Sequence, residues 1–380
     1  MPNPLGTMFT LLIGPTIAGP APAPLMEVLD EVEVTHNDDQ PSAFQMSFLV
    51  GRSGPAELLD HALLQLPFLK PLFRVVMVVT LGGIPRVLFD GVIKHTELNP
   101  SAQAGESRVR VTGEDLSALM ATEEKSVEHP AQDETVIANK IILSYARYGL
   151  IPTVIPPVMI DPPVLTERTP VQQGSDLAYL NEMADRHGYV FYVLPGPAPM
   201  TSTAYWGPPK LLDIPQRAIT VNMGSHSNAT ISSIRNNPEN PEVIDDEVQD
   251  RITNQTVPVR TFAPIRPTLA LFPTWLMLGP DIRKAKLRSS GLNTMQAYAR
   301  AQARTNAAAD TVTMTGELDS DQYGDLLRAR GIVGVRGAGF SYDGWFYVKS
   351  VTHRIKKGSY SQSFTLSREG TGSTTPVVVP

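Results

Sequence analysis

Residues 171–193 read VQQGSDLAYLNEMADRHGYVFYV, and this stretch predicts a helix that leads directly into a strand. Ser175 is a good N-cap, Asp176 places negative charge at the positive end of the helix, and Gly188 suits its C-terminal end. Residues 189–194 are mostly aromatic or β-branched, so we expect a strand there. Five residues recur at helical spacing and predict one apolar face: Leu177, Leu180, Met183, Ala184 and His187.

Strand patterns precede this unit, and the first 120 residues predict a mostly antiparallel β unit with the length of one domain. The stretch up to residue 25 is rich in Pro, Gly and Ala, so we expect an extended arm rather than a packed element. The pair Gly82-Gly83 predicts a hairpin turn. The predicted strands cover residues 28–34, 44–49, 74–81, 86–96 and 107–113, and a short helix is predicted over 56–66.

The rest of the chain alternates between helical and strand patterns. Asp133 can cap a helix over 134–148, and Gly149 can end it. An Ala-rich helix is predicted over 294–309, whereas the acidic, Asn- and Pro-rich residues 236–254 predict a loop. Further strands are predicted over 219–223, 333–335, 345–355 and 361–367, and a polar, flexible tail over 369–380. Two strand-rich regions therefore flank a mixed one.

Composition limits the possible functions. Charged residues make up 18% of the chain, below the roughly 25% of ordinary soluble domains. That deficit indicates either surfaces covered by other chains or a polar surface rich in Pro, Ser and Thr. The net charge of −6 argues against sequence-independent DNA binding, which needs a basic patch. Because the chain has no cysteine, disulfides and thiolate chemistry are excluded.

The N-terminal region lacks the features of a targeting signal. No Lys or Arg precedes Arg52, so the basic segment of a signal peptide is missing. The apolar stretches 8–13 and 268–278 are too short to cross a membrane. We therefore expect a chain that is cytoplasmic at synthesis and has no membrane anchor of its own.

Few residue patterns could carry chemistry. His36 lies near Asp38 and Asp39, which could bind a metal, but a polar hairpin turn is the interpretation we favour. The Asp-Asp-Glu run at 245–247 could bind a hard cation, but a solvated loop explains it more simply. The pairs at 114–115 and 123–124 are neighbours in sequence and need not face one site.

The remaining candidates have structural explanations. We interpret His187 as a helix-end residue near the C-terminal dipole and His353 as a surface or interface residue. The glycines at 331, 334, 337 and 339 do not open a helix after a strand, as a dinucleotide loop requires. The sequence thus predicts no catalytic, cofactor-binding or metal-binding residue, no cofactor, and a protein that is not an enzyme.

Three blocks, taken in order, resemble the late control D proteins of phage tails, which are baseplate hub proteins related to the hub part of the type VI valine-glycine repeat spike proteins. The blocks are residues 171–193, residues 205–209 (YWGPP) with 221–232, and the run 316–368. The family's helix-strand unit is matched at Gln172 or Gln173, Ser175, Asp176, Tyr179, Leu180, Ala184, His187 and Gly188. The N-terminal half has no comparably specific motif.

The resemblance implies a mainly β fold with an α+β part. It implies two tube-type antiparallel β-barrels plus a mixed α/β domain, arranged in a trimeric ring with pseudo-six-fold symmetry. The expected division is a first barrel with an extended arm over 1–120 and a mixed domain over 121–212. The second barrel would comprise 213–237 and 305–370, with an excursion over 238–304 joining the mixed domain and a flexible tail over 371–380.

The resemblance also implies partners and a location. The expected partners are two further copies in a homotrimer, a separate trimeric spike, a hexameric inner tube protein and other baseplate proteins. Cargo or DNA would pass through the lumen without specific binding. The particle would be a phage tail or a contractile injection system, assembled in the bacterial cytoplasm. Two other functions remain open, a tail-associated cell-wall hydrolase and a receptor-binding tail domain.

Overall fold

The computed structural model describes residues 7–50, 68–101, 106–157, 169–211, 214–250, 253–288 and 292–374. The first part forms strands β1 (Met8–Gly14), β2 (Gly19–Pro20), β3 (Leu29–Asn37), β4 (Ala43–Val50), β5 (Arg74–Leu81), β6 (Ile84–Asn99) and β7 (Ser107–Asp115), with helix α1 (Ala23–Glu27) before β3. Their order in the sheet is β3-β4-β7-β6-β5-β1-β2. Together these strands are called the first β unit. The predicted helix over 56–66 lies outside the described residues.

The first β unit is built on alternation, because every second side chain of a strand points to the same face. Met46, Phe48 and Val111 on neighbouring strands are fully buried in one core. The predicted turn at Gly82-Gly83 is confirmed, since β5 and β6 pair on either side of it. The prediction of an unpacked N-terminal arm is wrong: β1 pairs with β5 along its whole length, and its alternating apolar residues complete the core.

The middle of the chain is mixed, as the sequence predicts. Its elements are β8 (Glu124–Glu128), α2 (Glu134–Leu143), β9 (Leu150–Val154), β10 (Val171–Ser175), α3 (Asp176–His187), β11 (Val190–Pro195) and β12 (Ser202–Gly207). Strand β12 lies between β11 and β9, and α3 packs on this sheet through Leu180 and Met183. The predicted helix 134–148 ends earlier, at Leu143, and a separate 3-10 turn covers Ala146–Tyr148.

The remaining strands are β13 (Gln216–Thr220), β14 (Ala229–Asn236), β15 (Glu242–Gln249), β16 (Thr256–Arg260), β17 (Ala270–Pro273), β18 (Arg283–Ala285), β19 (Val312–Asp319), β20 (Ile332–Arg336), β21 (Gly344–Lys356), β22 (Ser359–Arg368) and β23 (Gly370–Ser373). The helices are α4 (Thr274–Leu278), α5 (Thr294–Ala308) and α6 (Ser320–Tyr323). Strands β13, β14 and β19–β22 surround a separate apolar core and are called the second β unit.

The two β units share one sheet. Strand β21 pairs antiparallel with β3, and this pairing joins both units in a sheet of 13 described strands. The fold is therefore mainly β with an α+β part, as expected. The described strand pairings do not form two separate barrels, because neither β unit closes on itself. The pairing of β3 with β21 joins the two units where two separate barrels would have a boundary.

Two further predictions are wrong. Residues 236–254 contain β15 instead of forming a loop, and β15 pairs with β16 and β18 while α5 covers its apolar side. The predicted flexible tail begins with buried Glu369, and β23 pairs with β17. The partners of β15 are themselves weakly patterned, and the partner of β23 lies far away in sequence. Composition alone therefore pointed to a loop in both cases. No helix in the described part of the chain is long and apolar enough to cross a membrane.

Candidate assembly interface

The block at 171–193 folds as its local signals predict. The Ser175 side chain accepts a hydrogen bond from the Ala178 backbone N–H at 3.2 Å, which is the expected N-cap. Gly188 ends α3 with a φ of +65°, a left-handed conformation that favours glycine. A Cβ on Gly188 would also lie 2.4 Å from the Ala303 Cβ, so this glycine lets α5 approach α3.

Asp176 places charge at the end of the helix and also accepts three side-chain hydrogen bonds, which the sequence analysis did not predict. The buried carboxylate accepts hydrogen bonds from Lys125 Nζ at 2.6 Å, Tyr145 OH at 2.8 Å and Gln172 Nε2 at 2.6 Å. Burial opposes ionisation, but the bonds from Lys125, Gln172 and Tyr145 outweigh it and hold the pKa of Asp176 below its usual value. The Gln-x-x-Ser-Asp pattern therefore ties β8, β10 and α3 together, and its spacing was the available signal.

The other end of α3 carries a second polar contact. His187 Nε2 bonds to the Glu134 carboxylate, and Arg186 donates to the same carboxylate at 2.8 Å. Burial alone would raise the pKa of Glu134, but His187 and Arg186 together lower it. The interpretation of His187 as a helix-end residue is confirmed, with the addition that it fastens α3 to the start of α2.

Two histidines lie where the sequence did not predict them. His36 is not in a polar turn but buried within β3, with Nδ1 3.0 Å from Ser42 Oγ. His353 is not at the surface but 1% exposed in β21, with Nδ1 2.8 Å from Tyr360 OH. The two rings meet edge to face with centroids 5.6 Å apart. They fill the seam between the two β units, and no metal-binding group of three His, Asp or Glu occurs among the described residues.

The neighbouring carboxylates of the sequence do not converge on one site. Asp245 pairs with Arg260 at 2.9 Å, and Asp246 accepts the Leu287 backbone N–H at 2.8 Å, so both stabilise a strand and not a solvated loop. Glu114 and Asp115 point to opposite faces of β7, the first half-buried and the second buried. The glycines at 334 and 337 lie in or just after β20 and lead into β21, so they open no helix.

Two surfaces among the described residues stand out as uncovered. Strand β14 ends the shared sheet and, within the described pairings, has β19 on one side only. Its side chains are exposed or half-buried throughout. The segment 262–278, called the apolar ridge here, exposes several large apolar side chains: Phe262 is 83% and Met277 73% exposed, and Ile265, Leu271, Phe272 and Leu276 are exposed as well. Free strand edges and large exposed apolar side chains are features of surfaces that bind other chains.

No protein-family model and no curated protein sequence matches the chain. Solved structures do. A tail protein from Neisseria meningitidis MC58 is 13% identical with a TM-score of 0.61, over 95% of this chain and 97% of that one. The 43 kDa tail protein of prophage MuSo2 from Shewanella oneidensis is 11% identical with a TM-score of 0.61, over 95% and 98%. A chain of the Francisella PdpA-VgrG complex is 8% identical with a TM-score of 0.55, over 99% and 55%.

Proposed function

The chain has the fold of phage tail proteins, and on that premise we propose that it is a structural baseplate hub, which adapts a trimeric spike to the hexameric inner tube of a contractile tail or contractile injection system. The observation that carries this proposal is the match over nearly the whole length of two tail proteins. The block at 171–193, which resembles a hub family, supports it independently.

Two β units in each chain would let a three-fold assembly meet a six-fold one. Each unit has its own apolar core, and β3 and β21 hold the two at a fixed spacing within one chain. Three copies would present six β units in a ring toward a hexameric tube, while the three chains would match a trimeric spike. The mixed part and the excursion 238–304, which contact each other through α3 and α5, would form the outside of the ring.

The uncovered surfaces are the contacts we assign to assembly. Strands β21 and β22 of the second β unit have pairing partners on two sides, so neither offers a free edge. Within the described pairings the free edges of that unit are β13 and β14, and β14 is exposed or half-buried throughout whereas β13 is mostly buried. We therefore expect β14 to meet a neighbouring hub subunit or the first ring of tube protein. The apolar ridge at 262–278 faces other baseplate proteins in this proposal.

We propose a structural and not an enzymatic role. The carboxylates that a cell-wall hydrolase needs would have to face one cleft, whereas Glu114 and Asp245 lie on separate strands, each in an ion pair of its own. The lumen of the ring would be neutral to acidic, so that cargo or DNA passes without binding. The chain would be part of a virion or phage-tail-like particle.

Stoichiometry tests the proposal. The purified chain, alone or mixed with its spike protein, is expected to form trimers when its mass is measured by light scattering. A stable monomer in the presence of the spike would contradict the hub role. As a second readout, Thr230→Pro in the edge strand β14 is expected to reduce tube assembly in electron micrographs, whereas a folded variant that nucleates tubes normally would remove β14 from the interface.

A further inference from the structure

Strand β23 brings the chain to one end of the apolar ridge. It pairs antiparallel with β17, and Ser373 lies opposite Ala270 in this ladder. The next residue, Thr374, donates from its hydroxyl to the carbonyl of Leu269, just before β17, at 3.4 Å. The chain therefore leaves β23 beside residues 262–268, which form the part of the ridge that precedes β17.

The six residues that follow, 375–380, lie outside the described part of the chain and read TPVVVP. They carry no charge, and three of them are consecutive valines, which favour strands and whose burial is favourable. The ridge beside them is also apolar, and its Ile265 is 68% exposed. Because adjacent apolar surfaces gain free energy by burying each other, this segment is a fitting occupant for this part of the ridge.

The register of β17 and β23 determines which residues would meet if the ladder continued. At the same register, Val378 falls opposite Ile265, while positions 375 and 377 fall opposite 268 and 266. Hydrogen-bonded and non-hydrogen-bonded pairs alternate along an antiparallel ladder. Because the Thr274 N–H donates to the Glu369 carbonyl at 2.9 Å, Val378 and Ile265 would form a non-hydrogen-bonded pair. The side chains of such a pair lie close together on one face.

The backbone before β17 suits this continuation. No backbone–backbone hydrogen bond among the described residues involves Arg266 or Thr268, and these are the positions where the register calls for hydrogen-bonded pairs. The N–H of Ile265 would point away from an added strand, and it already donates to Asn306 Oδ1 at 2.8 Å. The groups that an added strand needs are therefore the ones that this stretch of backbone leaves open.

The prolines fit the same register. Proline has no N–H, so it interrupts a ladder at hydrogen-bonded positions and is tolerated at the others. Pro267 and Pro376 would lie opposite each other in a non-hydrogen-bonded pair, as Pro273 and Gly370 do in the described ladder. Neither proline removes a donor that the continued ladder requires.

We propose that residues 375–378 continue β23 along the ridge as a strap, with Val378 packed on Ile265 and with backbone hydrogen bonds to residues 266 and 268. Strand β23 delivers this segment to the ridge of its own chain, so no second copy is needed. The strap leaves Leu276 and Met277, at the end of α4, open for the partner contact proposed above. This inference goes beyond the hub role and does not depend on it.

Paired cysteines test the register, because the chain has no cysteine of its own. The Cα atoms of a non-hydrogen-bonded antiparallel pair lie about 4.5 Å apart, within the range that a disulfide spans. The full chain with Ile265→Cys and Val378→Cys should therefore form a disulfide within one chain in oxidised glutathione, as measured by peptide mass spectrometry. The matched chain with Ile265→Cys and Val377→Cys should not, because the side chain at 377 would point to the opposite face.

Hydrogen exchange gives a second readout that needs no cysteine. The peptide that contains residues 375–378 should exchange more slowly than an unstructured peptide, Val378→Asp should abolish this protection, and Val378→Ile should keep it. The proposal is overturned if neither cysteine pair forms a disulfide, if both pairs form it at equal rates, or if the disulfide joins two chains. Exchange of the wild-type peptide at the unstructured rate would overturn it as well.

Discussion

Replacing His36 with glutamine should make the seam between the two β units less sensitive to acid. The buried ring of His36, on β3, contacts the rings of Phe89 and of His353 on β21. Ser42 and the Leu88 carbonyl are its hydrogen-bond partners. Burial, reinforced by the nearby positive charges of two arginines at 328 and 330, lowers the pKa of His36 from 6.5 to about 4. Glutamine keeps a neutral side chain that can form hydrogen bonds but does not titrate.

The sign follows from where the proton binds. Well above pH 6.5, His36 is neutral in both the folded and the unfolded chain and contributes no pH dependence. As the pH falls below 6.5, the unfolded chain takes up a proton that the folded chain refuses, so stability is lost until the pH reaches about 4. At about 1.4 kcal/mol per pKa unit, the loss in wild type amounts to about 3 kcal/mol. The glutamine variant lacks this loss.

Hydrogen exchange measures the seam directly, because amides of β3 and β21 exchange when their pairing opens. Wild type and His36→Gln are compared at each pH from 7 to 4, so that the intrinsic pH dependence of exchange cancels. The free energy of opening should fall by about 3 kcal/mol more in wild type than in the variant. His95→Gln, at an exposed position of β6, should behave like wild type. A difference between wild type and His36→Gln that stays constant with pH would refute this reasoning.

Four other outcomes are expected. Leu180→Ala should lower the free energy of unfolding by about 2–5 kcal/mol in urea titrations, because Leu180 is fully buried; an unchanged midpoint would show that α3 is misplaced. Asp176→Asn should cost about 2 kcal/mol by the same assay, since Lys125 loses its charged partner, and no loss would argue against the three-bond cluster. Proline at Val351 or at Phe364 should break the ladder and stop tube assembly in electron micrographs; normal tubes from folded variants would contradict the place of these strands. Asp245→Ala should change stability by less than about 1 kcal/mol, because its ion pair is exposed, and a larger change would mean a structural role for β15 beyond pairing.

Elements that depend on neighbours in sequence were predictable. Helix α3 carries its cap, its apolar face and its terminating glycine within residues 175–188, and it forms where predicted. Helix α5 begins at the predicted Thr294. The Asn293 side chain before it accepts the Gln296 backbone N–H, and the Gln296 side chain accepts the Asn293 backbone N–H. The Gly82-Gly83 turn also needed no distant information.

Elements that depend on distant partners were not predictable. Strand β1 is stabilised by β5, whose paired residues lie 60 or more positions later, and the Pro and Gly around β1 masked its short alternating pattern. Strand β15 is rich in carboxylates, but Arg260 pairs with Asp245, and the backbone N–H groups of Leu287 and Arg288, just after β18, bond Asp246. A buried glutamate is rare unless it has hydrogen-bond donors, so the sequence placed Glu369 in an exposed tail. Its donors, such as the Leu269 backbone N–H, are distant in sequence.

The same limit applies to the polar residues of the interior. His36 and His353 are flanked by charged or polar neighbours in sequence, which suggests a surface, and only the pairing of β3 with β21 buries them together. Arg330 belongs to a block that resembles the hub family, but its contacts at Asp38 and Gln40 come from 290 or more residues away. A sequence pattern shows which residues share a face of one element, and it does not show which elements meet.

The most direct test of the hub role is a cryo-electron microscopy reconstruction of the particle that contains this chain. Three copies should form one ring between the trimeric spike and the first ring of tube protein, with six β units facing the tube and β14 at a contact between chains. A location at the tail fibres, or a ring with another number of copies, would contradict the account.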